Sequence, residues 1–242
     1  MIISSLILFL CSCSIWTDHV EKVPVPKVKK LSLGTETIVK SSNLVKTGSL
    51  VKTSFDLKTD SSITKYIDNK ISFDEKSYIP GNLVNLKWDF LIDAKNNQKV
   101  RKISLENLEK LSNNFYNNFW KKLKIVSAYR SYSYQKRIKD WGCSDTFCAK
   151  AGYSEHQSGL AIDFWEASEK TRFEKNDELK KYFTWMKDNW YKYGFTNSYQ
   201  NWVEIDWYAI EPWHWRYVWT DLAKILNKEK ITFAEYYYKI KK

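Results

Sequence analysis

Eleven of the chain's twelve tryptophans lie at Trp88 or beyond, and the exception, Trp16, stands alone near the amino terminus. Large aromatic side chains dominate protein cores. The folded core of this 242-residue chain is therefore expected in its C-terminal two-thirds. That length suffices for one good-sized domain with appendages, or at most two small ones. Glycine and proline are scarce, which excludes collagen-like and low-complexity classes.

The first 76 residues read differently. Ile2 to Leu10 is an apolar run, too short for a mature membrane span of roughly 20 residues but suited to the apolar stretch of a secretory signal. It ends in Leu10-Cys11-Ser12-Cys13, which resembles a bacterial lipobox, with leucine three positions before a cysteine and a small residue just before it. The resemblance implies cleavage before Cys13 and lipid attachment to its thiol. No Lys or Arg precedes the run, and a plain signal peptide or a buried first strand are the alternative readings. From His19 to about Lys76 the chain is rich in Lys, Ser, Thr and Val, with a small echo in Leu44-Val45-Lys46-Thr47 and Leu50-Val51-Lys52-Thr53. Too little apolar surface is present there for an independent core. The expected organisation is a leader over 1–13, a flexible basic tether over 14–76 and a folded domain over 77–242.

Net charge is +11. It describes either a solvated lysine-rich surface or attraction to a polyanion such as a cell-wall polymer or anionic lipid. No zinc knuckle, RRM-like aromatic motif or basic recognition helix is present, so a nucleic-acid partner is not expected. Cys143 and Cys148 close a short loop; in an exported protein such a pair can form a disulfide. Free thiols are the alternative. A structural zinc site is disfavoured, since no second Cys/His pair stands at finger spacing.

Within the domain, Leu105, Leu108, Leu111, Phe115 and Phe119 recur at helical spacing behind Ser104, which predicts a helix over 104–122. Leu123 to Ala128 predicts a strand, and Ser131 to Trp141 a helix. Leu160 to Phe164 predicts a second strand, and Leu179 to Tyr193 a helix stopped by Gly194. Tyr208 to Val218 predicts a third strand, broken at Pro212. Two short helices over 221–227 and 232–239 close the chain. Strands and helices do not alternate regularly, which favours an α+β fold: a small, mostly antiparallel sheet flanked by helices.

Three segments carry the chemistry. Ser154 to Asp163 reads SEHQSGLAID, and Glu211 to Val218 reads EPWHWRYV. If Leu160, Ile162 and Phe164 face the core, strand parity turns Ala161 and Asp163 to the opposite face. An aspartate in so apolar a strand is costly without a partner. In the second segment, Trp213, Trp215 and Tyr217 share one face and His214 and Arg216 the other. Glu211 and His214 are three apart, so a turn at Pro212 is needed to bring them together. Catalytic zinc takes three protein ligands and leaves one position open. His156, Asp163 and His214 can supply three ligands, with Glu211 as a carboxylate near the fourth position, and the metal site then lies on the sheet face. Each residue alone has an ordinary structural reading, as a strand-edge aspartate or a core histidine.

Together with SAYRS (Ser127 to Ser131), these segments in this order resemble the VanY-type D-alanyl-D-alanine carboxypeptidases of the LAS zinc metallopeptidase group. The resemblance runs from about Tyr78 to Val218 and includes a Tyr-x-Pro-x-x-Leu-Val segment at its start. It implies Zn2+ as cofactor, held by His156, Asp163 and His214, with Glu211 as catalytic base. It implies that Arg130 engages substrate, and that Ser154 and Gln135 contact the peptide. Two departures stand out: Trp219 follows the Arg-Tyr-Val segment where the family often has glycine, and Asn201 to Trp207 lacks a common Thr-Gly turn.

The expected activity is removal of the C-terminal D-alanine from peptidoglycan stem peptides. L,D-carboxypeptidase or dipeptidase action on the same peptides is an alternative. A non-catalytic envelope lipoprotein that binds cell wall or glycan is the rival from another class. The expected partners are stem peptides and, through the lipid anchor, a membrane. The expected form is an exported, membrane-anchored monomer facing the periplasm or cell wall.

Overall fold

A computed structural model describes residues 54–165 and 175–241. The leader, Cys13 and the first part of the tether lie outside the described residues. The main sheet has five strands in the order β2-β4-β5-β7-β6. They are β2 (Leu91–Asp93), β4 (Leu123–Ser127), β5 (Ala161–Phe164), β6 (Phe195–Asn197) and β7 (His214–Tyr217). Only the β2–β4 pair is parallel. A two-stranded ribbon of β1 (Leu83–Asn85) and β3 (Lys99–Arg101) stands beside it. The expected α+β architecture, a small and mostly antiparallel sheet with flanking helices, is the one found.

Helix α1 (Lys102–Phe119) begins ahead of Ser104, because β3 runs directly into it through Arg101. Its Leu108, Leu111 and Phe115 are fully buried, as the spacing predicts. They pack over the core face of the sheet with α3 (Asp177–Asn189), where Phe164, Trp190, Phe195, Trp215 and Tyr217 interlock. Trp190 lies 4.6 Å from Trp215, ring centre to ring centre. Helix α2 (Tyr132–Asp140) is capped by Ser131, whose hydroxyl accepts from the Tyr134 amide. A single turn, α4 (Val203–Asp206), precedes the third sequence motif. Helices α5 (Thr220–Glu229) and α6 (Phe233–Ile240) end the chain. Among the described residues no helix is long and apolar enough to cross a membrane.

The boundary expected at residue 77 needs correction. Residues 54–76 pack onto the domain, with Leu57, Tyr66, Ile67 and Phe73 buried. Tyr66 stacks on Tyr237 at 4.0 Å and meets Phe233 edge-on at 5.1 Å, inside a second core formed with α5 and α6. Lys65 is buried too and pairs with Asp60 at 2.9 Å. The sparse apolar residues of this stretch are too few for their own core, yet enough to seal a neighbouring one. The described residues from 54 onward belong to one compact unit.

Candidate metal centre

The sheet register builds the site. Asp163 on β5 is paired with Ser127 on β4 and His214 on β7. These three residues form one row across the face opposite the aromatic core, as the parity argument requires. The β4–β5 ladder shifts between Ile125 and Ser127, a bulge next to the row.

His156 arrives from a 3₁₀ turn, Glu155–Ser158, that ends on Gly159. Gly159 has φ of +68°, where a side chain is strained, and a Cβ there would lie 2.8 Å from a Leu83 methyl, so glycine is favoured. Gln157, fully buried, fastens the turn: its amide nitrogen donates to the Lys76 and Tyr78 carbonyls at 2.7 and 3.1 Å. The Arg130 amide donates to the His156 carbonyl at 3.2 Å, which ties the arginine loop to the same turn.

Pro212 performs the break expected of it. The His214 amide donates to the Glu211 carbonyl at 3.1 Å, closing a turn with Pro212 at its second position. Asn197 Nδ2 bonds the carbonyls of Glu211 and His214 at 2.8 and 2.7 Å. Glu211 and His214 thereby reach one cleft although they stand three apart.

At the centre, ring nitrogens and carboxylate oxygens converge. His156 Nδ1 lies 2.7 Å from the Ala128 carbonyl, which can only accept, so Nε2 carries the lone pair and points inward. That nitrogen is 3.2 Å from Asp163 Oδ2. His214 Nδ1 is 3.0 Å from Asp163 Oδ1, while its Nε2 is 2.8 Å from Glu155 Oε2. Donor atoms of His156, Asp163 and His214 all lie within 4.8 Å of one another, and all three residues are buried. Two imidazoles and one carboxylate are a donor set suited to zinc with an open position. Arg130 Nη2 donates to Asp163 Oδ2 at 2.7 Å and lies 3.0 Å from His156 Nε2. The lone pairs that hold this cation are those a metal would use.

Electrostatics follow from the burial. His156 is pushed down to about 4 by burial and by Arg130. Burial opposes charge on His214, but its bonds to Asp163 and Glu155 raise it to about 9. Burial also opposes charge on Asp163, yet His156, His214 and Arg130 hold its carboxyl well below the usual range. Burial pushes Glu211 up to about 8. Among the described residues its side chain has no hydrogen-bond partner. A carboxyl poised near neutrality can both take and return a proton.

The cleft has a volume of about 490 Å³. Its lining includes Arg130, Ser154, His156, Asp163, Glu211 and His214, so six of the seven residues expected to hold zinc, catalyse or contact the peptide share it. Gln135 does not line it. Fully buried, it accepts from Arg130 Nη1 at 3.3 Å and donates to the Ala149 carbonyl at 2.7 Å. Its expected role as a peptide contact is corrected: it braces the arginine from behind. Cys143 and Cys148 are joined in a disulfide whose loop forms one wall of the cleft.

The two departures from the family pattern lie away from the cleft lining. Trp219 takes φ of +76° at the start of α5, the backbone region that favours glycine. In the 201–207 stretch, Asp206 accepts from the Gln200 and Asn201 amides, and Trp207 lies under Lys70 of the N-terminal wrap. Tyr199 and Tyr208 flank the site instead. Tyr199 stacks on His214 at 4.6 Å, a neighbour that no sequence pattern announces. Glu155, Ser198 and Arg216 behind His214 were likewise not singled out as site residues. Two signals were available: an acid immediately before His156, and the strand parity that puts Arg216 on the face of His214.

Comparison with known proteins agrees with this geometry. The family model for VanY, D-alanyl-D-alanine carboxypeptidase, matches residues 97–220. YodJ of Bacillus subtilis (strain 168) is 36% identical over 177 residues, covering 69% of this chain and 64% of that protein. The chain thus spans just under two-thirds of that relative. The structure of LdcB, an LD-carboxypeptidase, superposes with a TM-score of 0.61 at 31% identity, over 74% of this chain and 87% of that one. A mutant of the D,D-pentapeptidase VanY in complex with Zn(II) shares the fold, with a TM-score of 0.53 at 22% identity, over 70% of this chain and 96% of that one. A match over more than half the sequence, on motifs that meet in one cleft, makes this chain a member of the VanY D-alanyl-D-alanine carboxypeptidase family.

Proposed function

We propose that the chain is a zinc-dependent carboxypeptidase that releases the C-terminal D-alanine of peptidoglycan stem peptides. One observation carries the reading: the three donors within 4.8 Å of one another share their cleft with Glu211 and Arg130. A pure binding module needs no carboxyl beside a complete ligand set.

His156, Asp163 and His214 would hold the zinc, which when bound supplies Lewis acidity and a nucleophile at neutral pH. Glu211 takes the proton of the attacking water and returns it to the amine of the departing D-alanine. Its burial keeps that proton on a short path inside the cleft. Arg130 presents a planar fork, steadied by Ser127 Oγ at 3.0 Å and by Gln135, to the terminal carboxylate of the peptide or the developing oxyanion.

An L,D bond is the second reading, since LdcB, an LD-carboxypeptidase, superposes better and at higher identity than the D,D-pentapeptidase. Zinc-loaded protein offered muropeptides ending in D-Ala-D-Ala beside those ending in L-Lys-D-Ala separates the two by which one loses alanine. If both stay intact, the enzyme reading fails.

The remaining expectations belong to the same proposal. The protein is exported and held at a membrane by a lipid on Cys13, and it acts there as a monomer. The apolar run that ends in Leu10-Cys11-Ser12-Cys13 supports the export and the anchor, and the Cys143–Cys148 disulfide suits an oxidising compartment. Labelling with a fatty-acid analogue should mark the wild type and spare Cys13→Ser; equal labelling would contradict the anchor.

A further inference from the structure

Glu155 and Arg216 are both buried, and neither is used by the chemistry above. Taking such a pair out of water is costly, and a buried ion pair is weak evidence for stability on its own. The distances show what Glu155 serves. Its Oε2 lies 2.8 Å from His214 Nε2 and 2.7 Å from Ser198 Oγ, whereas Arg216 Nη1 stands 3.7 Å from its Oε1. The carboxylate is turned toward the histidine, and the arginine balances it from a distance.

Arg216 is itself fixed from outside the region that the family model matches. Its Nη2 donates to the Lys65 carbonyl at 3.1 Å and to the Ile63 carbonyl at 3.4 Å, and its Nε donates to the Tyr217 carbonyl at 3.1 Å. Residues 63–66 are held by the aromatic seat of Tyr66 and by the Lys65–Asp60 pair. A continuous chain of contacts therefore runs from the N-terminal wrap through Arg216 and Glu155 to His214.

We propose that Glu155 is a positioning residue for the metal centre, and that the N-terminal wrap sets its position through Arg216. By accepting from His214 Nε2, Glu155 fixes the ring so that Nδ1 faces Asp163 and His156. Imidazoles that bind metal are commonly oriented this way by a partner on the other nitrogen, and loss of that partner typically costs about 10- to 100-fold in metal affinity or activity. The inference rests on the reading of the site as a zinc centre.

The test is zinc affinity, measured by chelator competition on the intact chain, beside the visible spectrum of the cobalt(II) form. Failure of the wild type to bind zinc would remove the metal reading itself. If the wild type binds, Glu155→Gln is expected to weaken zinc about 10- to 100-fold and to alter the cobalt spectrum, with Glu155→Asp recovering part of the loss. Arg216→Lys keeps the charge but loses the fork to Ile63 and Lys65. It should weaken zinc in the same direction, and it serves if Glu155→Gln does not fold. Zinc affinity and cobalt spectrum unchanged in a folded variant, with only thermal stability lowered equally in the metal-free and zinc forms, would overturn the proposal.

Discussion

Asp163 and His214 are register partners on adjacent antiparallel strands, and Asp163 Oδ1 lies 3.0 Å from His214 Nδ1. The sheet itself thus sets two of the three donors side by side. Replacing either ligand, or His156, with alanine should abolish stoichiometric zinc while leaving the fold intact, since the aromatic core lies on the other face. Elemental analysis of the purified variants, with circular dichroism as a fold check, decides this. Equal zinc in wild type and His156→Ala would contradict the ligand set.

Glu211 is placed by the Pro212 turn and held by Asn197 through backbone carbonyls. Glu211→Gln should keep full zinc and lose about 10²- to 10⁴-fold in kcat, the usual contribution of a positioned acid–base group. Steady-state kinetics at matched zinc content checks it.

Arg130 reaches the site with a fork that lysine cannot reproduce. Arg130→Lys should cost about 1.5–3 kcal/mol of substrate interaction, roughly 10- to 100-fold in kcat/KM. Because Arg130 also bonds Asp163, zinc content must be measured in parallel. Unchanged kcat/KM at full zinc would sink the assignment.

The helices were readable because their apolar residues repeat over several turns; α1 buries Leu108, Leu111 and Phe115 as its spacing requires. That Asp163, Glu211 and His214 can meet was readable because strand parity and a proline break are local facts. The three-residue strands β1, β2, β3 and β6 are too short to display an alternating pattern. The wrap was misread for a physical reason: Tyr66 and Phe73 become core only against α5, α6 and the loops they cover, and sequence windows do not contain those partners. Gln135 was expected at the peptide through the family resemblance, and a matching polar position does not distinguish a group facing a substrate from one bracing an arginine from behind.

The wrap makes its own predictions. Tyr66→Ala removes a buried aromatic that touches Phe233 and Tyr237, so it should cost about 3–5 kcal/mol, read by chemical denaturation. An effect below ~1 kcal/mol would place Tyr66 outside the core.

Acid should loosen the same segment. The amides of Thr59 and Lys58 hold Asp56 below the usual carboxylate range. Burial raises Asp60, but Lys65 and the amides of Asp74 and Glu75 outweigh it and lower it as well. Because both folded values lie below the unfolded ones, their stabilisation is present above about pH 4 and is lost as pH falls through the folded values. Limited proteolysis across a pH series should show cutting within 54–76 begin on the acid side first. Onset on the alkaline side would contradict the sign.

The most direct test of the central claim is mass spectrometry of defined muropeptides after incubation with zinc-loaded protein. The wild type should release a single terminal alanine, and Glu211→Gln none at equal zinc. Intact muropeptides with the zinc-loaded wild type, or equal cleavage by the two proteins, would contradict the claim.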